Sequence, residues 1–183
     1  MGFDFHERFS FATHVVILYS FKTLNEKRRF WPLLRERVNK MTEKNTGEPV
    51  RYRYDTIVRE LMLDVFLHVN HAVYLNLFEE ARWQFITDNG YGLARIQATQ
   101  KGPIILDAHL QYRAELAARE KIHVESLIYP YAHKVGRLEQ NLYKGNGVLS
   151  CKAEFLFGFF DMQARKLLAP TAEWLGALGL PPN

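Results

Sequence analysis

Apolar positions along this chain change their period near residue 50. Before it, Phe30, Leu34, Val38 and Met41 recur at helical spacing and predict a helix over residues 25–41, with Lys27, Arg28, Arg35 and Lys40 off the stripe. Residues 42–49 are polar, hold Gly47 and Pro49, and read as a linker. Beyond the linker, Ile57, Leu61 and Leu63 alternate with Val58, Glu60 and Met62, which predicts a strand over residues 56–63. Helical spacing returns over residues 72–87, where Tyr74, Leu77, Phe78, Ala81 and Phe85 form one stripe and Asn76, Glu80 and Gln84 fall opposite. Asn70 is a good N-cap, Val69 and Tyr74 fit a hydrophobic staple, and Asp88-Asn89-Gly90 supplies the stop. Residues 94–161 then read entirely as strand. Ile104, Leu106, Ala108, Leu110 and Tyr112 alternate with Ile105, Asp107, His109, Gln111 and Arg113, and the period continues through Ile122, Val124 and Ile128. Cys151, Ala153, Phe155, Phe157 and Phe159 repeat it after a turn at Lys144-Gly145-Asn146-Gly147. One strand, one long helix and four or five antiparallel strands make an α+β layout. A single helix leaves part of such a sheet uncovered, so a homo-oligomer is expected.

Composition narrows the function more than the fold. Lys and Arg number 24 against 20 Asp and Glu, a formal charge of +4. That mild excess suits an acidic small molecule and falls short of the clustered positive face of a nucleic-acid binder. Cys151 is the single cysteine, which excludes an internal disulfide framework and any multi-cysteine zinc site and favours a reducing, cytoplasmic compartment. The apolar run of residues 11–21 contains His14 and is far short of the roughly 20 residues a membrane span needs. Asp4, Glu7 and Arg8 mix signs ahead of it, and no small-x-small cleavage site follows, so it does not read as a signal peptide. Contact of this arm with a membrane surface stays open.

Serine-nucleophile elbows, Walker loops, dinucleotide fingerprints and H-E-x-x-H are all absent from the sequence. Polar residues concentrate instead in Asp64-Val65-Phe66-Leu67-His68-Val69-Asn70-His71-Ala72, between a strand end and the start of the long helix. The first N–H groups of a helix lack internal partners and carry positive potential, so an oxyanion can be held there. A neighbouring carboxylate, Asp64, supplies a base or nucleophile for the same carbon. Read as metal ligands, Asp64, His68 and His71 would not share a helical face, and no second cluster completes a shell. No metal is expected.

This stretch resembles the signature of hotdog-fold acyl-CoA thioesterases of the 4-hydroxybenzoyl-CoA thioesterase family, D-x-x-G-H-V-N-N-A-x-Y-L-x-x-F-E-E-A-R. Asp64, His68, Val69, Asn70, Ala72, Tyr74, Leu75, Phe78, Glu79, Glu80, Ala81 and Arg82 match in register. Leu67 stands where the family usually has Gly, at a point where the backbone passes close to substrate. His71 stands for the second Asn, although another branch has H-A-N-Y there, which His71-Ala72-Val73-Tyr74 resembles. Gly102-Pro103-Ile104-Ile105 and Tyr112-Arg113 fall where the second strand and its bend would lie, and Gly136-Arg137 resembles a turn in the next hairpin.

The resemblance covers about residues 55–180 and implies a hotdog domain over 51–183, with a helical N-terminal extension over 1–50. In that fold a curved antiparallel sheet wraps a long helix, and two chains join into a dimer with active sites at the interface; dimers can pair into tetramers. It further implies hydrolysis of an acyl-CoA, or of an acyl-carrier-protein thioester, without metal or organic cofactor and without nucleic acid. Asp64 would activate water or attack the thioester, the N–H groups of His71 and Ala72 would polarise its carbonyl, and the His71 ring would assist the leaving thiolate. Leu67, His68, Asn70 and Tyr74 would shape the substrate site, and Arg113 and Arg137 would meet the CoA phosphates. Glu80 is expected in solvent and Cys151 in the core. A non-catalytic hotdog protein that binds acyl chains or scaffolds other subunits is the alternative.

Overall fold

Helix α1 (His71–Asp88) buries Tyr74, Leu77, Phe78, Ala81, Phe85 and Ile86, the stripe expected from the spacing with one residue added. In the computed structural model, which describes residues 48–182 and the single residue Glu36, these side chains enter one cluster with the inner face of a six-stranded sheet. Apart from Glu36, which is helical, the helix expected over residues 25–41 and the apolar run of 11–21 lie outside the described residues. The strands are β1 (Val50–Ile57), β2 (Lys101–Tyr112), β3 (Lys121–Ile128), β4 (Val135–Lys144), β5 (Leu149–Asp161) and β6 (Lys166–Leu168). All pairings are antiparallel, in the order β1-β3-β4-β5-β2, with β6 continuing beside the end of β5. Two short helices, α2 (Leu93–Thr99) and α3 (Ala172–Ala177), complete the described chain.

Packing of α1 is aromatic as well as aliphatic. Phe85 stacks on Tyr52 of β1 with centroids 4.6 Å apart, and Phe78 meets Phe155 of β5 edge-on at 6.0 Å. Gln140, wholly buried on β4, donates to the Phe78 carbonyl and to Ser126 Oγ, and its oxygen accepts from Arg82 at 2.8 Å. This polar bridge ties helix to sheet through groups that would otherwise be buried unpaired. Cys151 is buried as expected, and burial pushes its thiol up to about 11, which makes it a neutral packing group.

Four expectations need correction. The first strand covers Val50–Ile57, so its alternation is Val50, Tyr52 and Tyr54 against Arg51, Arg53 and Asp55. Residues 60–62 form a single 3-10 turn, and Leu61 is fully exposed at 100%. Residues 93–99 are helical rather than extended. Within β2 a bulge at Leu106 breaks the register between Ile105 and Asp107. Pro103 and Ile105 therefore share the inner face with Leu110, and Leu106 joins Val135 and Leu156 on the outer one. Finally, Gly136 lies inside β4 and makes no turn: a Cβ there would sit 2.6 Å from the Phe157 ring. The turn at Lys144–Gly147 is as expected, with Gly147 at φ +84°.

Deleting the Phe78 side chain should lower the unfolding free energy by about 3–5 kcal/mol in urea titrations, because it removes a fully buried ring. Leu61→Ala should change it by less than about 0.5 kcal/mol, since no packing is lost there.

Candidate active site

Between the 3-10 turn and α1 the chain reverses in a tight loop held by its own backbone. Asp64 N–H donates to the His68 carbonyl, Leu67 N–H to the Asp64 carbonyl, Val69 N–H to Leu116 and Asn70 N–H to Met62. The Asp64 carboxylate folds into this loop. Its Oδ1 accepts from Phe66 N–H at 2.8 Å, and its Oδ2 lies 3.6 Å from His68 Nδ1. A carboxylate offers about four lone-pair directions, so acceptor capacity remains on a side chain that is still 19% exposed. The His68 ring is stacked on Phe66 at 5.8 Å.

Leu67 adopts φ +63°, the left-handed region in which a side chain crowds the following carbonyl. This explains the glycine usual at that position as a backbone requirement of the turn. The Leu67 side chain itself points outward, 76% exposed, beside Val65 and Phe66, which are also exposed.

The helix start has two of its first three N–H groups occupied. Asn70 Oδ1 accepts from Ala72 N–H at 2.9 Å as the N-cap, and Val73 N–H bonds the Asn70 carbonyl. The expected use of Ala72 N–H as an oxyanion donor therefore conflicts with the cap, whose oxygen already holds that hydrogen. His71 N–H has no acceptor among the described residues and is the donor left over. The His71 side chain is exposed at the first position of the helix. Tyr112, at the end of β2, donates its hydroxyl to the His71 carbonyl at 3.0 Å and packs edge-on against Tyr74.

The remaining expected site residues separate. Tyr74 is buried in the core, where burial holds its phenol above the usual range, and so it braces Tyr112. Arg113 follows Tyr112 directly, exposed, with Nη2 donating to Gln111. Arg137 is not at the turn of its own chain. It lies seven residues down β4 from Lys144, whose ammonium pairs with Glu120 near the loop, a distance of about 23 Å at the strand rise. There Arg137 pairs with Glu139 and covers the Tyr129 ring at 4.4 Å. No group of His, Cys, Asp and Glu suited to a metal ion occurs among the described residues. None of the described helices is long and apolar enough to cross a membrane.

A second feature lies further along α1. A cavity partly open to solvent is bounded by Glu79, Arg82, Trp83, Phe85 and Ile86 of the helix, by Pro103 and Ile105 of β2, and by residues of β3, β4, β5 and the C-terminal segment. Its walls are almost wholly apolar. Arg82 is buried enough that its guanidinium falls to about 10, still protonated at neutral pH, and it lies over the Phe155 ring. Glu80 is exposed as expected, and Glu79 borders the cavity. Trp83 and Tyr112 gave little warning in the sequence: one lies off the apolar stripe, and the other reads as an ordinary strand residue.

The family model of the thioesterase-like superfamily matches residues 58–178, which span the loop, α1 and the whole sheet from β2 onward. The chain belongs to that superfamily. A curated relative of this thioesterase-like chain, the long-chain acyl-CoA thioesterase FadM of Escherichia coli (strain K12), is 28% identical over 117 residues, 63% of this chain and 88% of the relative. Among solved structures, YbaW of Escherichia coli, described as a probable thioesterase, superposes with a TM-score of 0.60 at 26% identity, covering 69% of this chain and 95% of the other. The hypothetical protein SAV2348 of Staphylococcus aureus, solved with CoA, gives 0.66 at 20% identity, covering 73% and 85%. The α+β hotdog fold expected from the motif is thereby the fold of this domain.

Two substitutions test the loop geometry in chemical denaturation. Leu67→Gly should relieve about 1–2 kcal/mol of left-handed strain. Glycine's greater freedom in the unfolded chain offsets about 0.5–1 kcal/mol of that relief. A net gain of up to about 1 kcal/mol is expected. Asn70→Ala should lose about 1 kcal/mol by freeing Ala72 N–H.

Proposed function

We propose that this chain is an acyl-CoA thioesterase in which Asp64 assists attack on the thioester at the start of α1. The observation that carries the reading is the pairing of a half-sheltered carboxylate with a helix N-terminus whose His71 N–H lacks an acceptor among the described residues. Thioester carbonyls are already electrophilic, so a base and an oxyanion donor can suffice without a nucleophile triad.

In the proposed reaction a water oxygen bonds the carbonyl carbon while Asp64 takes the water's proton. The carbonyl oxygen becomes an oxyanion facing His71 N–H. Collapse restores the carbonyl and breaks the C–S bond, and the leaving thiolate takes back the proton held by Asp64, directly or relayed through the His71 ring. The products are the free acid and the thiol. Direct attack by Asp64, giving an anhydride that water then opens, uses the same residues. Acyl-carrier-protein thioesters present the same bond and are the near variant of the substrate. Arg113, next to Tyr112 and exposed, would meet a phosphate of the CoA tail in this reading.

A homodimer completes the site in this reading. Among the described strands, β2 stands at one edge of the sheet. Antiparallel pairing of two copies along it would set the Tyr112 end of one strand beside the Lys101 end of the other. The Asp64 turn of one copy would then approach the cavity of its partner, whose mouth includes Pro103 and Ile105. A single buried cysteine suits the reducing cytoplasm, and the apolar run of residues 11–21 is the segment suited to touch a membrane surface.

Thiol release from short, long and aromatic acyl-CoAs should fall about 10²–10⁴-fold in Asp64→Asn, the range for loss of a general base, while its thermal melt stays near wild type. Equal rates in the two proteins would remove Asp64 from the chemistry. No turnover on any acyl-CoA or carrier-protein thioester would favour a binding or scaffold role.

A further inference from the structure

The cavity beside α1 has a direction. Glu79, Trp83 and Ile105 are exposed at its mouth, whereas Ile128, Leu138, Phe157, Trp174 and Leu178 are buried at its floor. Both residues that the C-terminal segment contributes, Trp174 and Leu178, belong to the floor.

That segment is clamped on every side. Thr171 caps α3 by accepting from Trp174 N–H at 3.2 Å, and Arg95 of α2 makes a two-pronged pair with Glu173 at 2.6 and 2.8 Å. Asn89, just past α1, donates to the Ala177 carbonyl at 2.9 Å. The Trp174 ring stacks on Phe159 with centroids 5.3 Å apart and meets Tyr91 edge-on. Its indole N–H donates to Tyr131 at 2.8 Å, so the ring brings no unmet polar group to the cavity. A floor both apolar and fixed suits the methyl end of an alkyl chain and cannot retreat to admit a longer one.

We propose that this cavity seats the acyl chain and that Trp174 and Leu178 form its end-stop, so that the C-terminal segment sets the longest chain accepted. The proposal rests on the thioesterase reading for the identity of its occupant, and it assigns the part of the chain that selects among acyl-CoAs.

The test uses a series of S-alkyl-CoA thioethers, butyl to hexadecyl, which bind but have no thioester to cleave. Calorimetric affinity for the full-length wild type should rise roughly fourfold per buried methylene and then stop rising at one length. Leu178→Ala should move that break to longer chains and Leu178→Phe to shorter ones. If either variant melts early, Ile105→Trp at the exposed mouth should weaken binding of every length that reaches the cavity. A break unmoved by both Leu178 variants, or binding indifferent to Ile105→Trp, overturns the end-stop. Acyl-CoA turnover with an unmoved break would sink this proposal and leave the thioesterase reading intact. A moving break in a protein without turnover would do the reverse.

Discussion

The rotation of α1 about its own axis is the constraint on which the rest depends. Its apolar stripe has to face the inner surface of the sheet, and that surface is lined by Val124, Leu138, Leu142, Phe155 and Phe157. Once Tyr74, Phe78 and Phe85 are seated there, no freedom remains in where the helix begins or which way its first turn faces. Asn70 then has to cap at that spot, and the loop ahead of it has to reverse within a few residues to rejoin β1. Asp64 is delivered to the helix start by this geometry together with the hydrogen bonds of its own turn. Burial of each large apolar side chain is worth about 1.5–3 kcal/mol, so the stripe outweighs the strain of a single tight turn.

That strain is concentrated at Leu67. The turn needs one residue with positive φ, and in this chain the position holds a leucine. Its side chain gains nothing in return, because it projects outward with Val65 and Phe66. The loop carries its strained backbone and its candidate base within three residues of each other. A folded core thus supports a site that would not adopt its shape alone.

Much of this could be read from the sequence, and the failures have physical causes. The helix stripe, strand β3 and residues 151–155 of β5 announce themselves because one face of each is buried and the other is more open. Strand β1 was hidden because its inner residues are Val50, Tyr52 and Tyr54, and the aliphatic residues after it drew the expectation downstream. Ile104-Ile105-Leu106 is apolar on both parities, so no pattern could reveal the bulge. Leu93–Thr99 and Ala172–Ala177 are too short to display a helical period. In the site, Asp64, His68, Asn70 and His71 stand together both in the motif and in the fold. Arg137 does not join them, since its partner Glu139 and its place along β4 are tertiary facts. The cavity was invisible for the same reason: its walls come from stretches nearly one hundred residues apart.

Docking of the C-terminal segment also bears on how the domain is made. Trp174, Leu175, Leu178 and Leu180 belong to the same cluster as α1, and a Cβ on Gly179 would lie 2.7 Å from the Tyr52 hydroxyl of β1. The first strand and the closing helix therefore pack against each other although more than a hundred residues separate them. A ribosome translating this chain would emit β1 and α1 well before the residues that seal them. Until then Tyr91 and Phe159 would lack the indole against which they pack. The nascent domain would pass through an interval with part of its aromatic core uncovered, when chaperone protection matters most.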